Sequence, residues 1–474
     1  DVWQRTKLPC FVWDAFCSYQ STYRRRTYMK EKDLLQETAA YALQSALKKG
    51  ASAARVTAIR DESDGLTVLN NTLEQIQSAV ESVLQIHVFA DGRYGTCSTN
   101  KTETAGIDRL LDQTMASVKL LAPDSYRKLV PETIRYNGPP LQNAFTGKVS
   151  TRQKKELLFT CAEAVYGKDP ALINVSAHVE DTRRWLHMID SAGLDCAADE
   201  TWYSLSAECS VKGSDGTRPF DWDYIGGLSP AALGIGITDN NHTIPQACAA
   251  TALQRALAKR NPQKIKSGRY HVVVENRAAS TLLAPVIDAL SGPSLQQQNS
   301  FLLNKLEQRV GSSVLTLIDN PHNRELPGYS FFDTEGTATK KRTVIDQGIL
   351  HVFYLNTYYS AKMNMPCTIS SPSTLILTGG NGSMLSLAGN MHNGLVITGF
   401  NGGNCNSATG DFSYGIEGFL VKNGQITTPV NEMVMTGNMT ELWNQLVMAG
   451  DDALTTSSWL IPSLLFEHVE LAGL

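Results

Sequence analysis

The segment Gly399–Val430, GFNGGNCNSATGDFSYGIEGFLVKNGQITTPV, constrains the fold more than any other stretch of this sequence. Its second half predicts a β-hairpin in which Phe419–Val421 pairs with Gln425–Thr428 across a turn at Asn423-Gly424. Asn-Gly is a strong hairpin signal because both residues tolerate the left-handed backbone of tight turns. Its first half, up to Asn406, is rich in glycine and asparagine, which suits strained backbone but is equally typical of an ordinary surface loop.

Length and composition are those of a globular protein with more than one domain. The chain has 474 residues, which predicts two or three domains. Its content of 42% hydrophobic and 19% charged residues is ordinary and allows a sizeable core. The formal net charge of −4 gives no broad basic surface, so we do not expect nucleic-acid binding. No apolar stretch approaches the ~20 residues of a membrane span, so no membrane association is expected.

The cysteines and the first residues of the chain bear on its cellular setting. Nine cysteines, none in a C-x-x-C pair, predict reduced and buried thiols, and we therefore expect a cytoplasmic protein. Residues 1–28 combine Trp3, Trp13 and Arg24-Arg25-Arg26 but lack the apolar core of a signal peptide. We interpret residues 1–28 as an upstream extension before a native start at Met29; a basic, aromatic tail is the alternative.

Periodicity divides the remainder into three segments: an N-terminal α+β domain at 29–122, a central α+β region at 123–262 and a β-rich domain at 263–474. Helices are predicted at Asp33–Lys49, Ile107–Leu121, Arg152–Tyr166, Gln246–Arg260, Ser280–Leu290 and Thr440–Met448. Strands in the first two segments are predicted at Arg55–Arg60, Leu66–Asn70, Val80–Ala90, Leu172–Val179, Arg184–Asp190 and Thr201–Val211. Pro123–Gly147 is interpreted as a linker or long loop, and the fold class is α+β.

Several short motifs in a fixed order resemble the TldD/PmbA family, whose members are linked to peptide maturation and proteolysis and are also called modulators of DNA gyrase. The glycine-rich start of Gly399–Val430 resembles the family's C-terminal signature, and Phe332–Thr339, FDTEGTAT, is similar to its FD.EG..T block. Other similar stretches are Val88–Asn100, Gly348–Leu350, Tyr354–Tyr358, Asn431–Asn438 and Ile461–Leu465. The resemblance runs from Met29 to the end and implies a C-terminal domain with a large curved antiparallel sheet or barrel-like core.

The metal-binding motif of the TldD branch, H-E-x-x-x-H on a helix, is missing. Two imidazoles on such a helix can share a cation, and the glutamate can activate a metal-bound water. By the resemblance, the matching positions here are Ala284, Pro285 and Ala289. Alanine offers no lone pair and proline cannot act as a base, and no histidine lies between positions 271 and 322. The TldD branch also has a cysteine near its C-terminal end, which this chain lacks after Gly450.

Two other kinds of site are weaker candidates. His178 and His187 could face each other across adjacent strands and share a metal, although isolated strand histidines are far more often structural. Cys405 could be a nucleophile, although no histidine lies near it in the sequence and a small half-buried cysteine is the commoner situation.

The overall pattern resembles the PmbA branch, also called TldE, and this resemblance implies a function. The chain would be a non-catalytic subunit of a TldD/TldE-type metallopeptidase complex that cleaves small or unfolded peptides. It would carry no cofactor of its own, its partner would be a TldD-type catalytic subunit holding a metal expected to be zinc, and it would form a homodimer in that partner's absence. A regulatory protein acting on DNA gyrase or a toxin, and a stand-alone peptidase with an unusual site, remain as alternatives, so whether the chain is itself an enzyme stays open.

The glycine-rich loop is our predicted peptide-binding element. In the implied complex it would face a cavity shared by the two subunits, and its glycines would let peptide backbone approach closely. The predicted binding residues are Asn401, Gly402, Gly403, Asn404, Cys405, Gly410 and Asp411.

Overall fold

The computed structural model describes residues 30–473, apart from 146, 148, 215 and 237–243. The predicted extension at 1–28 and His242 lie outside the described residues. Within them, seven cysteines are described and all are free. No helix in this part of the chain is long and apolar enough to cross a membrane.

A seven-stranded sheet forms the N-terminal half. Its strands follow the order β3-β2-β1-β5-β6, and both β4 and β7 pair with β6. Only the short β4 is parallel to its neighbour; the other pairings are antiparallel. The strands are β1 (Ala53–Leu69), β2 (Thr72–Ala90), β3 (Arg93–Thr99), β4 (Leu141–Asn143), β5 (Leu172–Asp190), β6 (Asp195–Val211) and β7 (Phe220–Gly227).

Four helices cover this sheet in two pairs. The apolar stripe of the first helix, which includes Ala39, Ala42 and Ala46, is fully buried beside the second helix and strands β1 and β2. The third helix begins at a complete capping box on Ser150 and shares a core with the fourth helix, β5 and β6. These helices are α1 (30–48), α2 (Thr104–Val118), α3 (Thr151–Glu163) and α4 (Ile244–Ala258).

The C-terminal half is built on a closed barrel of five strands, which confirms the barrel-like core. The barrel follows the order β15-β14-β13-β8-β18 and closes where Val434–Thr436 of β15 pairs with Glu470–Ala472 of β18. The predicted hairpin is also confirmed, because Asn423 and Gly424 connect β14 to β15 with φ of 51° and 75°. The barrel strands are β8 (Gly268–Val274), β13 (Gly394–Cys405), β14 (Asp411–Lys422), β15 (Gln425–Asn438) and β18 (Leu464–Ala472).

Smaller elements complete this half. A five-stranded sheet contains β9 (Leu317–Asp319), β10 (Arg342–Asp346), β11 (Ile349–Leu350), β12 (Leu375–Leu377) and β17 (Trp459–Leu460), and β16 (Leu446–Ala449) extends the barrel sheet beside β18. The helices are α5 (Asn276–Ala289), α6 (Gly292–Gln296), α7 (Thr357–Met363), α8 (Met384–Met391) and α9 (Met439–Asn444). Helix α5 packs its apolar face into the largest core cluster, together with Leu395 and Ile397 of β13.

The strands of the first sheet are longer than the sequence predicts. We expected breaks after Arg60 and after Val179, but β1 and β5 run through both polar stretches. In the antiparallel register Asp61 lies opposite Arg184, and the two side chains form an ion pair at 3.7 Å. Opposite charges facing each other across two strands stabilise the ladder, so polar residues do not interrupt it. Strand β5 of the central segment thus pairs with β1 of the first segment in one sheet. The domain boundary after residue 122 stays a prediction.

One other local expectation is wrong, and another is incomplete. The predicted helix Thr440–Met448 ends at Asn444, because Leu446–Ala449 instead pairs with the buried strand β18. The predicted linker Pro123–Gly147 contains β4, whose three residues add to the edge of β6. In both cases a distant strand supplies backbone partners that local sequence cannot reveal.

A buried ion network joins the two halves of the protein. Asp221 of β7 is 2% exposed, and its carboxylate lies 2.8 Å from both Arg277 on the first turn of α5 and Lys259. Lys259 also contacts Glu417 of β14 at 2.6 Å. Burial by itself raises the pKa of Asp221, but Arg277 and Lys259 outweigh burial and hold this pKa below its ordinary value. The network therefore fixes the start of α5 against the N-terminal half.

We predict that Asp221→Asn lowers the free energy of unfolding at pH 7 by about 3 kcal/mol, because it removes the carboxylate that two buried cations share and leaves them only Glu275 and Glu417. The folded-state pKa of Asp221 is depressed, so its contribution is present above the ordinary value of about 4 and is lost as the pH falls through the folded-state pKa. Urea unfolding followed by tryptophan fluorescence would measure both effects.

The matched control for this prediction is Asp223→Asn. Asp223 is more exposed and forms one pair, at 2.8 Å from Arg255, so its loss should cost below about 1 kcal/mol. Equal losses for the two variants would contradict the prediction.

Candidate functional site

A cavity of about 760 Å³ lies between helix α5, the end of β13 and the segment that leads into β17. It draws on three stretches that are far apart in the sequence. Its lining residues are Ser280, Thr281, Ala284, Pro285, Asp288, Cys405, Ser407, Tyr414, Ser457, Ser458 and Trp459. A second depression of about 530 Å³ is formed by the exposed face of α3 alone, with no groups converging from other elements, and is not a candidate.

Helix periodicity explains which residues of α5 reach the cavity. Leu282, Leu283 and Val286 are buried in the core, so the opposite face, with Thr281, Ala284 and Asp288 at helical spacing, is left open. Pro285 lies inside the helix on the cavity side and has no amide hydrogen. The Thr281 carbonyl oxygen therefore lacks its usual partner within the helix.

The three positions that the resemblance aligns with the H-E-x-x-x-H motif carry no metal-binding side chain. Ala284 and Pro285 line the cavity, and Ala289 is fully buried in the core. Of the lining residues, Asp288 and Cys405 are the two with acidic or thiol groups, which is too few for a zinc site. Elsewhere in the described residues, no three His, Cys, Asp or Glu side chains are placed to hold a metal ion.

The histidine pair considered from the sequence does not form. We expected His178 and His187 on adjacent strands, but both lie on the continuous strand β5, nine positions and about 30 Å apart. His178 forms a hydrogen bond with Thr67 Oγ1 at 3.0 Å, and His187 one with Asp195 at 2.8 Å. Each histidine thus has its own local partner, so this metal hypothesis is wrong.

Cys405 is the predicted binding residue that lies in the cavity. It is half-buried at the end of β13, and its thiol donates to the Asn406 carbonyl oxygen at 3.7 Å. Burial, followed by the carboxylates of Asp411 and Asp288, raises the pKa of Cys405 to about 11. The thiol is therefore protonated at neutral pH, the opposite of what a cysteine nucleophile needs.

The other predicted binding residues lie near Cys405 in the sequence but do not line the cavity. Asn401, Gly402, Gly403 and Asn404 are exposed residues of strand β13, so the glycine-rich half is an irregular strand and not a loop. Gly410 is buried against Phe301. Asp411 accepts hydrogen bonds from Asn438 Nδ2 at 2.9 Å and Thr409 Oγ1 at 2.7 Å, which brace the turn. Their role in peptide binding stays a prediction.

The sequence analysis did not predict several of the residues that line the cavity. The open face of α5 could have been found, since Thr281, Ala284 and Asp288 recur at helical spacing on the side opposite the leucines. Ser457, Ser458 and Trp459 carried no such signal, because only the pairing of β17 with β12 places them here.

The end of β13 offers backbone to a ligand. Strand β8 pairs with β13 only at Leu395–Ile397, whereas β14 accompanies β13 as far as Cys405. Among the described residues, no strand pairs with the second edge of 398–405. An unpaired strand edge can hydrogen-bond an extended peptide without requiring a particular side chain.

Along this edge, the backbone requires glycine more strictly at position 403 than at position 402. Gly402 and Gly403 have φ of 104° and 110°, which side chains rarely adopt. A Cβ at Gly403 would also collide with the Ser413 carbonyl oxygen, whereas nothing lies within 4 Å of one at Gly402. We predict that Gly403→Ala destabilises the β13–β14 pairing by about 2 kcal/mol more than the control Gly402→Ala. Hydrogen–deuterium exchange of peptides from this hairpin would measure the difference, and equal exchange in both variants would contradict it.

The raised pKa of Cys405 gives a further prediction. We expect its alkylation by iodoacetamide to keep accelerating between pH 7 and pH 10 without a plateau, because the reactive thiolate accumulates only near pH 11. Asp288→Asn should increase the rate at pH 8 by removing a carboxylate that opposes ionisation. Mass spectrometry of the Cys405 peptide would give the rates, with Cys405→Ser as the control for assignment. A plateau near pH 7 would contradict the prediction.

Family comparisons cover most of the chain. The PmbA/TldA metallopeptidase domain 1 matches residues 54–118, the central domain matches residues 146–260 and the C-terminal domain matches residues 267–473. The metalloprotease PmbA of Escherichia coli O157:H7 is 25% identical over 447 residues, which cover 94% of this chain and 97% of that protein. A metalloprotease PmbA homolog of Haemophilus influenzae is 24% identical and covers 93% and 96% of the two chains.

Solved structures agree with these matches. A Bacteroides thetaiotaomicron protein described as a modulator of DNA gyrase is 37% identical, with a TM-score of 0.87, over 93% of this chain and 99% of that one. TldE from Thermococcus kodakarensis has a TM-score of 0.78 at 19% identity, over 91% of this chain and 99% of that one, which is a likeness of fold alone. The three matched domains, together with the Bacteroides structure, establish that this chain belongs to the PmbA/TldD metallopeptidase family.

Proposed function

We propose that this chain is a non-catalytic subunit of a TldD/TldE-type peptidase complex and contributes a peptide-binding wall to a chamber shared with a TldD-type catalytic subunit. The observation that carries the proposal is the open face of α5. Where the TldD branch has H-E-x-x-x-H, this face presents Thr281, Ala284, Pro285 and Asp288 to the cavity. The family scaffold is retained, but this helix lacks the groups that bind a metal or activate water.

The free edge of β13 and the adjoining cavity support the peptide-binding part of the proposal. An extended peptide could add to residues 398–405 as a further strand and place its side chains alternately toward the cavity and away from it. Such binding depends on main-chain hydrogen bonds, so it suits substrates that are small or unfolded. The exposed glycines at 402 and 403 leave room for the incoming backbone.

The properties of Cys405 favour this reading over a stand-alone peptidase. A cysteine nucleophile needs a lowered pKa and a neighbouring base, whereas the pKa of Cys405 is raised and no histidine is among the residues described as lining the cavity. The proposal includes a homodimer when the partner is absent. It also includes a reducing, cytoplasmic setting, which the free cysteines support.

The proposal predicts that this chain adds peptidase activity only when it is mixed with a TldD-type protein. The purified chain, a TldD-type protein and their mixture would each be tested on an unstructured fluorogenic peptide, with the metal content of each protein measured. We expect the chain alone to be inactive and the mixture to exceed the TldD-type protein alone.

The control is a TldD-type partner whose first motif histidine is replaced by alanine, which should abolish cleavage in the mixture. Peptide cleavage by this chain alone, lost in Cys405→Ala or with a chelator, would overturn the proposal. No complex and no gain on mixing would also overturn it.

A further inference from the structure

The cavity beside α5 has a distinct charge. Of its lining residues, Asp288 is the one with a formally charged side chain, and it is exposed. Burial raises the pKa of Tyr414 to about 12, with a contribution from Cys405, so its hydroxyl stays neutral. The remaining polar lining consists of serine and threonine hydroxyls, and no lysine, arginine or histidine belongs to the described lining. The cavity therefore carries one negative charge that its own wall does not neutralise.

The end of helix α5 adds to this negative character. Asp288 lies in the last turn of the helix, where the aligned peptide dipoles place partial negative charge. Pro285 removes the helical hydrogen-bond donor of the Thr281 carbonyl oxygen. The Asp288 carboxylate and the helix end both favour a cationic hydrogen-bond donor.

An aromatic residue faces this helix across the cavity. Trp459 of β17 is half-buried and lines the same space as Asp288. An indole ring is the best of the aromatic faces for attracting a cation. A carboxylate and an indole in one cavity form a recognisable setting for an ammonium or guanidinium group.

The pKa of Cys405 is in keeping with this charge, since Asp288 is itself one of the carboxylates that raise it. After burial, the groups that raise the pKa of this thiol are the carboxylates of Asp411 and Asp288. Both act in the same direction, so a probe group at the cavity wall experiences negative potential. A neutral or anionic ligand group would gain nothing from this potential, whereas a cationic group would neutralise it.

We propose that this cavity binds a positively charged group of the peptide, either a lysine or arginine side chain or a free amino terminus, between the Asp288 carboxylate and the Trp459 indole. The inference rests on the proposed peptide-binding function and names the substrate class of that site. It concerns recognition alone, since the chain supplies no reacting group there.

The test uses fluorescein-labelled unstructured peptides that differ at one central position, lysine, arginine, norleucine or glutamate, with acetylated amino termini. A fifth peptide carries norleucine and a free amino terminus. Binding to the full chain, alone and mixed with a TldD-type protein, is measured by fluorescence anisotropy. We expect at least one cationic peptide to bind about tenfold more tightly than acetylated norleucine, and the fifth peptide separates the amino terminus from the side chains as the source.

Two variants attribute this preference to the site. Asp288→Asn keeps the size of the side chain and should remove the preference, and Trp459→Leu should weaken it. Asp346→Asn, which removes an exposed carboxylate from the β10–β11 hairpin outside the cavity, should leave it unchanged.

The outcomes separate this inference from the proposed function. If all peptides bind with equal affinity, or if Asp346→Asn reduces the preference as much as Asp288→Asn, the cationic site is overturned while peptide binding stands. If no peptide binds to the chain or to the mixture, both are overturned. A preference lost only in Asp288→Asn and reduced in Trp459→Leu supports the cationic site.

Discussion

The closure of the five-stranded barrel is the constraint on which the C-terminal half depends. Pairing of Val434–Thr436 with Glu470–Ala472 joins the last barrel strand, β18, to β15, so these strands satisfy each other's backbone groups. Helix α5 packs against the buried side chains of β13 in this closed barrel. Because β13 continues past the end of β8, the same closure leaves one short strand edge open beside α5. The cavity lies between the last residue of that edge, Cys405, and the open face of the helix.

The start of α5 is held from the other side by the Asp221 network. Arg277 and Lys259 share this buried carboxylate, and Lys259 continues the network to Glu417 on the barrel. Breaking such a pair is costly because it leaves charges buried without partners. The helix that faces the cavity is thus fixed at its first turn by the N-terminal half and along its length by the barrel. A rigid helix is a suitable support for positioning a bound peptide.

In our proposal, the open face of α5 lets the family fold serve without metal chemistry. Positions 284 and 285 face the cavity and contribute little to the core, whereas Leu282, Leu283 and Val286 hold the helix in place. In the proposed function, alanine and proline at these two positions leave this face of the cavity without metal-binding groups, while the buried residues still hold the helix. The cavity then offers recognition groups, a carboxylate, hydroxyls and an indole, to a peptide.

The sequence by itself determined those features that depend on a few neighbouring residues. Three such features are local: the Asn423-Gly424 turn, the helical periodicity of α5 and the absence of the metal motif at Ala284 and Pro285. The barrel-like core was expected from the resemblance of the sequence motifs to those of the family. Only the tertiary structure decided that β1 and β5 run unbroken, that Leu446–Ala449 is a strand, and that Trp459 faces α5. Each depends on a partner far away in the chain, and the hydrogen bonds and burial that such a partner supplies outweigh local preference. The raised pKa of Cys405 has the same origin, because burial and the Asp288 carboxylate exist only in the folded chain.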